Sequence, residues 1–183
     1  MSSEIQTYTG RVVDPFNLKP EDIDIEDICY SISRICRFGG HCLRFYSVAE
    51  HSVYVSEFVS DENKLWGLLH DASEAYFGDL PRPIKRAIPG YQEAEMKAQQ
   101  VIAEKFGLPY PIPEEVKDID TRLLLSESYS LMASPFDFGN EIEPLAISGM
   151  LGVDSETARN MFIIRFNNLK NKKNKPQISS PFK

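Results

Sequence analysis

Residues 65–83 read LWGLLHDASEAYFGDLPRP, and this stretch decides the fold. Its leucine, alanine and tyrosine residues recur at helical spacing, and aromatic residues add apolar bulk on other sides, as in a buried central helix. Into that helix the sequence places His70, Asp71 and Glu74. Burying a charged group is costly unless the group is paired or binds a metal ion. The stretch therefore predicts a core helix that carries a polar site.

Two interpretations of this polar group are open. His70 and Asp71 project about 100° apart around a helix axis, so both can contact one ion. Glu74 lies one turn on from His70, and Asp79 follows at the start of a proline-rich turn. The alternative is a buried His–Asp pair with a solvated glutamate. The apolar surroundings, with Glu74 and Asp79 in phase, favour the metal site.

Composition indicates one globular domain, residues 1–170, and a basic tail, residues 171–183, that we expect to be flexible. The net charge of −7 disfavours binding to a nucleic-acid polymer. We expect no membrane association and a cytoplasmic location, because the chain has neither a long apolar run nor a signal-peptide pattern at its start. The cysteines form no CxxC motif and predict no disulfide framework.

Apolar periodicity predicts an all-α fold of about six main helices around one core. The predicted helices span residues 20–36, 48–59, 65–77, 91–106, 113–132 and 156–169. A short strand or hairpin is predicted around residues 8–13, and a loop over residues 134–153 with a short helix at 143–150.

Two more polar residues lie on apolar stripes of these helices. His51 is in phase with the inward face of the second helix, and Asp120 with that of the fifth, whereas Asp118 faces solvent. Two imidazoles and two carboxylates suit Zn²⁺, Mn²⁺, Co²⁺ or Fe²⁺. The pattern places a metal site between the second, third and fifth helices.

Several cations allow a structural or a functional interpretation. Arg34 and Arg37 either complement the dipole at the end of the first helix or bind a phosphate. Lys85 belongs to a basic segment that is either solvated surface or a phosphate contact. His41, after a double glycine, either contacts a ligand or caps the local backbone.

The pattern H…HD…D resembles the HD-domain metal-dependent phosphohydrolases. The segments SVAEHS, LLHDASEAYFGDLPRPIK and DxDxxLL are similar to the nucleotidase branch of that family, which includes bacterial 5′-deoxynucleotidases. Residues 8–41 are similar to a subgroup of phages and bacteria that includes dATP triphosphohydrolases. The resemblance covers roughly residues 8–132.

The resemblance implies an HD-type helical bundle and assigns roles to individual residues. The implied metal ligands are His51, His70, Asp71 and Asp120. The implied catalytic residues, which orient or deprotonate the attacking water, are Glu74 and Asp79. Substrate contacts are expected from Arg34 and Lys85, with Arg37 and His41 as further candidates. The implied cofactor is Zn²⁺, Co²⁺ or Mn²⁺, with Mg²⁺ as a candidate second ion.

The resemblance also orders the expected activities. A dATP triphosphohydrolase that releases deoxynucleoside and triphosphate comes first, and a 5′-deoxynucleotidase acting on deoxynucleoside monophosphates is the alternative. A catalytically silent nucleotide-binding regulator and a structural metal site are the rivals from other classes. Family members are often oligomers, so we expect a homo-oligomer with residues 134–153 at its interface.

Overall fold

The computed structural model describes residues 3–136, 142–147 and 152–173. Its α-helices are α1 (Ile25–Ile32), α2 (Val48–Phe58), α3 (Lys64–Leu69), α4 (Glu74–Phe77), α5 (Arg82–Ala87), α6 (Tyr91–Phe106), α7 (Glu114–Leu131) and α8 (Ser155–Lys173). Strands β1 (Ile5–Gln6) and β2 (Val12–Val13) pair antiparallel as a small hairpin. The prediction of an all-α fold is therefore confirmed.

The first helix is shorter than predicted. Residues Pro20–Asp22 form a separate 3₁₀ turn, and α1 begins only after Asp24. The Asp24 carboxylate accepts a hydrogen bond from the Glu26 amide at 3.0 Å, so it satisfies one of the free donors at the start of α1. The chain leaves the helix after Ile32 and pairs Cys36 with Ser47 in an isolated bridge.

The predicted helix over residues 65–77 is interrupted. Residues 70–73 form turns between α3 and α4. Ala72 and Glu74 donate their amides to carbonyls three residues back rather than four, which tightens the backbone at this point. The tight turn interrupts the regular helix at His70 and Asp71, and a periodicity argument does not anticipate that interruption.

Helix α2 lies at the centre and packs against α3, α7 and α8. The close approach of α3 depends on Gly67, because a Cβ atom there would lie 2.9 Å from Ser56 Cα on α2. The hydrophobic core joins apolar residues of α1, α2, α3, α6 and α8. The packing of α2 against α3 and α7 brings the three predicted ligand-bearing segments together.

Two sequence predictions fall partly beyond the described residues. In the short helix predicted at 143–150, residues 143–147 are not helical and residues 148–150 lie outside the described ranges. Helix α8 runs to Lys173 instead of ending near residue 169, and the rest of the predicted tail lies outside them as well. Within the described residues, no helix is both long and apolar enough to cross a bilayer.

Candidate metal centre

The four predicted ligands converge between α2, the α3–α4 turn and α7. His51 Nε2 lies 3.3 Å from His70 Nε2, 3.1 Å from Asp120 Oδ1 and 3.7 Å from Asp71 Oδ2. His70 Nε2 lies 3.2 Å from Asp71 Oδ2 and 4.0 Å from Asp120 Oδ1. Both imidazoles are buried. Four potential donor atoms therefore surround one small space.

The hydrogen bonds of the two imidazoles fix which nitrogen faces that space. His70 Nδ1 lies 2.8 Å from the carbonyl oxygen of Gly67, which can only accept, so Nδ1 carries the hydrogen. His51 Nδ1 lies 2.6 Å from Glu127 Oε1, and the same reasoning holds for an ionised carboxylate. In the neutral rings both Nε2 atoms then present lone pairs to each other and to two carboxylates. Such an arrangement is repulsive without a cation at its centre.

The spacing fits a divalent transition metal. Bonds of about 2.0–2.2 Å to nitrogen and oxygen place tetrahedral ligand atoms about 3.3–3.6 Å apart. The observed separations of 3.1–4.0 Å bracket that range. The cluster of His51, His70 and Asp120 can hold a metal ion, since its ligand atoms all lie within 4.8 Å of one another. Asp71 lies next to this cluster, with its Oδ2 atom 3.2 Å from His70 Nε2 and 3.7 Å from His51 Nε2.

Without an ion, a proton takes part in the same cluster. Burial and the charge of Arg37 lower the pKa of His51, but the charge of Glu127 and hydrogen bonds to Asp120 and Glu127 outweigh them and raise it to about 9. Burial likewise favours neutral Asp120, yet the hydrogen bond with His51 lowers its pKa to about 2. A proton on His51 and a metal ion therefore compete for the same lone pair.

Glu127 is a buried neighbour of the cluster whose contacts the sequence interpretation missed. Its side chain is fully buried; Oε1 contacts His51 Nδ1 at 2.6 Å and Tyr46 Oη at 2.7 Å, and Oε2 lies 3.1 Å from an Arg37 nitrogen. Glu127 thereby holds His51 with Nε2 toward the cluster, the usual part of a carboxylate behind a ligating histidine. The sequence does contain a signal for this placement, because Glu127 lies two turns after Asp120 on the inward stripe of α7.

A cavity of about 610 Å³ opens beside the cluster. Its polar lining contains Arg37, Asp71, Glu74, Asp79, Arg82, Lys85, Arg86 and Asp120. Its apolar lining contains Phe38, Leu80, Pro81, Pro83, Leu124, Met132 and Phe136. The cavity therefore joins charged groups next to the cluster with an apolar wall.

Both predicted catalytic carboxylates reach this cavity. Glu74 is 3% exposed; its Oε1 accepts from Lys85 Nζ at 3.0 Å, and its Oε2 has no hydrogen-bond partner among the described residues. Burial, then the charges of Asp71 and Asp79, raise the pKa of Glu74 well above its usual range. A metal ion in the cluster would oppose that shift, because a nearby positive charge favours the carboxylate form.

Asp79 follows Gly78, whose φ of 79° turns the chain out of α4. This left-handed conformation favours glycine. Burial and the charge of Asp71 raise the pKa of Asp79, whereas Arg37 and Lys85 oppose the rise. The turn thus carries a second carboxylate to the cavity that Glu74 lines.

Of the predicted phosphate contacts, Lys85 and Arg37 line the cavity. Lys85 Nζ is shared between Glu74 Oε1 and Glu95 Oε1, at 3.0 and 2.7 Å. Arg37 is buried between Glu127 and Asp71, with its nitrogens 3.1 and 3.5 Å from their oxygens. Both cations therefore lie next to the groups that would meet a substrate.

Arg34 and His41 are not among the described residues that line the cavity. Arg34 stacks over the Tyr30 ring at 3.5 Å and donates to the Tyr30 carbonyl. It lines a separate depression of about 410 Å³ that also contains Tyr76. His41 is exposed and donates its amide to the Phe38 carbonyl at 3.0 Å. The structure does not bring these two predicted contacts to the cluster.

Comparison with known proteins gives relatives but no family model that matches the chain. A 5′-deoxynucleotidase of Pectobacterium atrosepticum is 32% identical over 97 residues, or 51% of this chain and 44% of that protein. An uncharacterized protein of Rhodobacter capsulatus is 37% identical over 119 residues, or 60% of this chain and 61% of that protein.

The match with the uncharacterized protein YfdR of Escherichia coli (strain K12) is much longer. The two chains are 39% identical over 170 residues, which cover 91% of this chain and 96% of YfdR. The aligned part includes nearly the whole helical bundle, so the likeness is not confined to one motif. The chain therefore belongs to the same protein family as YfdR.

Proposed function

We propose that this protein is a divalent-metal-dependent phosphohydrolase that acts on deoxynucleotides. The observation that carries the proposal is the convergence of two imidazole nitrogens and two carboxylates beside a cavity that also contains Glu74. Similarity to a 5′-deoxynucleotidase over half of the chain supports the same chemistry. The ligands would be His51, His70, Asp71 and Asp120.

When bound, a divalent ion lowers the pKa of water and polarises a phosphoryl oxygen. The protein's own contribution begins with Glu74, whose unpartnered Oε2 accepts a proton from the attacking water. Lys85 holds the other oxygen of Glu74 and keeps the side chain in place. Asp79, which lines the same cavity, assists by orienting the water. Lys85 and Arg37 offset the charge that develops on the phosphoryl group.

The apolar wall of the cavity is suited to the nucleoside. Phe38 and Phe136 approach with their ring centroids 5.9 Å apart, and Leu124 and Met132 extend the same surface. Phe38 adopts a left-handed backbone conformation with φ of 58°, which is uncommon for an aromatic residue and marks a constrained position. We expect this surface to pack against a sugar without a 2′-hydroxyl, which would favour deoxynucleotides.

The number of phosphates separates two candidate substrates. The resemblance of residues 8–41 to the phage-type subgroup supports dATP, but the comparison with known proteins supports a monophosphate. The cations also favour the less highly charged monophosphate substrate. Arg37, Arg82 and Lys85 are each already paired with a carboxylate, which leaves less positive charge for a triphosphate. We therefore place a deoxynucleoside 5′-monophosphate first and dATP second.

Product analysis tests the proposal directly. Purified protein is stripped of metal, reloaded with Mn²⁺, Co²⁺ or Zn²⁺, and incubated with each dNMP and dNTP at equal concentration. Release of inorganic phosphate from dNMPs supports the 5′-deoxynucleotidase, and release of triphosphate from dATP supports the triphosphohydrolase. The matched control is Glu74→Gln, which keeps the size of the side chain but cannot accept the proton.

A catalytically silent nucleotide-binding regulator predicts a different result. Such a protein would bind deoxynucleotide but release no product with any of the metals. The unpartnered oxygen of Glu74 argues against a silent site, because burying such a group is costly and a purely binding role does not need it. Binding without turnover in the wild-type protein would replace the enzymatic proposal with the regulator.

A further inference from the structure

Two of the three cysteines meet beside Arg37, a residue that lines the cavity. Cys36 Sγ lies 3.5 Å from Cys42 Sγ, and both residues are partly exposed. Cys42 Sγ also lies 3.9 Å from the carbonyl oxygen of Arg37. The third cysteine, Cys29, is buried in α1, and burial raises its pKa to about 12. The chain thus contains a close pair of thiols, Cys36 and Cys42, and a buried, unreactive thiol, Cys29, with which their reactivity can be compared.

The segment between the two thiols contributes directly to the cavity. We call residues 37–41 the Arg37 loop. Its first two residues, Arg37 and Phe38, both line the cavity. Gly39, with φ of 58°, faces Pro81, whose Cγ would lie 3.7 Å from a Cβ at that position. The Arg37 loop therefore lies close to Pro81, which also lines the cavity.

The chain on both sides of the thiol pair is anchored. On one side the Ile35 carbonyl accepts from the Val48 amide at 3.1 Å, and on the other the Leu43 amide donates to the Leu131 carbonyl at 2.7 Å. A bond between Cys36 and Cys42 would draw the sulfur atoms from 3.5 Å to about 2.05 Å. Because the flanks are held, the adjustment must occur within the Arg37 loop, where two glycines have positive φ.

We propose that Cys36 and Cys42 are a reversible modification site, at which oxidation to an intramolecular disulfide restrains the Arg37 loop at the cavity. The reduced loop has no covalent closure, and the oxidised loop becomes a small ring. Exposed disulfides are the easily reduced, regulatory class rather than the structural class, and both cysteines are partly exposed. Any effect of the disulfide on enzymatic turnover rests on the proposed function, whereas formation of the disulfide itself does not.

The oxidant is a low-molecular-weight disulfide such as oxidised glutathione. One protein thiolate attacks a sulfur of the reagent, forms a mixed disulfide and releases one glutathione thiolate. The second protein thiolate then attacks the protein sulfur of the mixed disulfide and releases the second glutathione. The two protein thiols are oxidised, one glutathione disulfide is reduced to two thiols, and these take up the two protons.

The test uses the full chain in its reduced form. The protein is incubated with oxidised glutathione at mildly alkaline pH, which favours the reactive thiolate form. Alkaline pH is needed because burial and the hydrogen bond with Cys36 raise the pKa of the Cys42 thiol. Thiol labelling under denaturing conditions should fall from three reactive cysteines to one, Cys29. Peptide mapping should show a Cys36–Cys42 linkage in monomeric protein. Amide hydrogen exchange in residues 37–43 should slow and should recover after reduction.

Single variants complete the design. Cys36→Ser and Cys42→Ser should each prevent the intramolecular linkage, whereas Cys29→Ser should leave it intact. Three free thiols after incubation, stable mixed disulfides, or linkage only between chains would overturn the modification site. A Cys36–Cys42 linkage with unchanged exchange of the Arg37 loop would overturn the restraint. If the proposed function failed, the protein would show no turnover in either redox state, with these readouts unaffected.

Discussion

The metal-ligand candidates and the cations near them are two sets of charged residues that behave differently. The ligand atoms of His51, His70 and Asp120 all lie within 4.8 Å of one another, and Asp71 Oδ2 lies 3.2 and 3.7 Å from the two imidazole nitrogens. Among the cations, Lys85 and Arg37 reach the cavity, whereas Arg34 stacks on Tyr30 elsewhere. His51 and Asp120 have short side chains on packed helices, so backbone phase determines their position, whereas His70 and Asp71 are held by the tight turn between α3 and α4. The cations have long side chains whose position depends on tertiary ion pairs.

The largest effect is expected from loss of a ligand. His70→Ala and Asp120→Ala each remove one donor atom from the cluster, so bound metal and nearly all activity should be lost together. Elemental analysis of the purified variants measures the metal, and product release measures the activity. Asp118→Ala is the matched control on α7, because Asp118 is exposed and contacts only Arg122 at 3.8 Å among its described neighbours. Full metal occupancy in the His70 variant would show that the ligands were misassigned.

The same contrast shows how much of the site the sequence could predict. Phase on an amphipathic helix identified His51 and Asp120 as inward, because burial repeats every turn. The tight turn at residues 70–73 and the late start of α1 depend on local hydrogen bonds that periodicity does not encode. The roles of Glu127 and Glu95 depend on contacts between distant segments. Those contacts exist only once the helices have packed.

A smaller effect is expected from Glu74→Gln. Gln keeps the shape of the side chain but cannot accept a proton, so turnover should fall by roughly 10²–10⁴-fold. Bound metal should not change, because Glu74 lies outside the ligand set. Glu95→Gln is the matched control, since Glu95 also contacts Lys85 yet does not line the cavity among the described residues. Turnover of the Glu74 variant within a few-fold of wild type would remove Glu74 from the mechanism.

Glu127→Gln tests whether Glu127 positions His51 for metal binding. Gln keeps a hydrogen-bond acceptor for His51 but loses the charge that faces Arg37 and His51. Removing such a carboxylate typically costs about 10–100-fold in metal affinity. Titration of the metal-free variant with Zn²⁺ or Co²⁺ against a competing chelator measures the change. An unchanged affinity, with the thermal midpoint also unchanged, would show that Glu127 does not position His51.

The smallest effect is expected from the cation that lies outside the cavity. Exposed side chains away from packed or charged sites change free energies by about 0.5 kcal/mol or less, so Arg34→Met should alter kcat/KM by at most about twofold. Lys85→Met is its counterpart inside the cavity and also removes the hydrogen bond to Glu74 Oε1. A charge-assisted hydrogen bond contributes about 1.5–3 kcal/mol, which corresponds to a loss of about tenfold or more in kcat/KM. Steady-state kinetics on a dNMP, with one metal and both variants side by side, gives the ratio of the two effects. If Arg34→Met lost as much as Lys85→Met, then Arg34 would contact substrate in spite of its stacking on Tyr30, and the side chain would have to leave that ring during turnover.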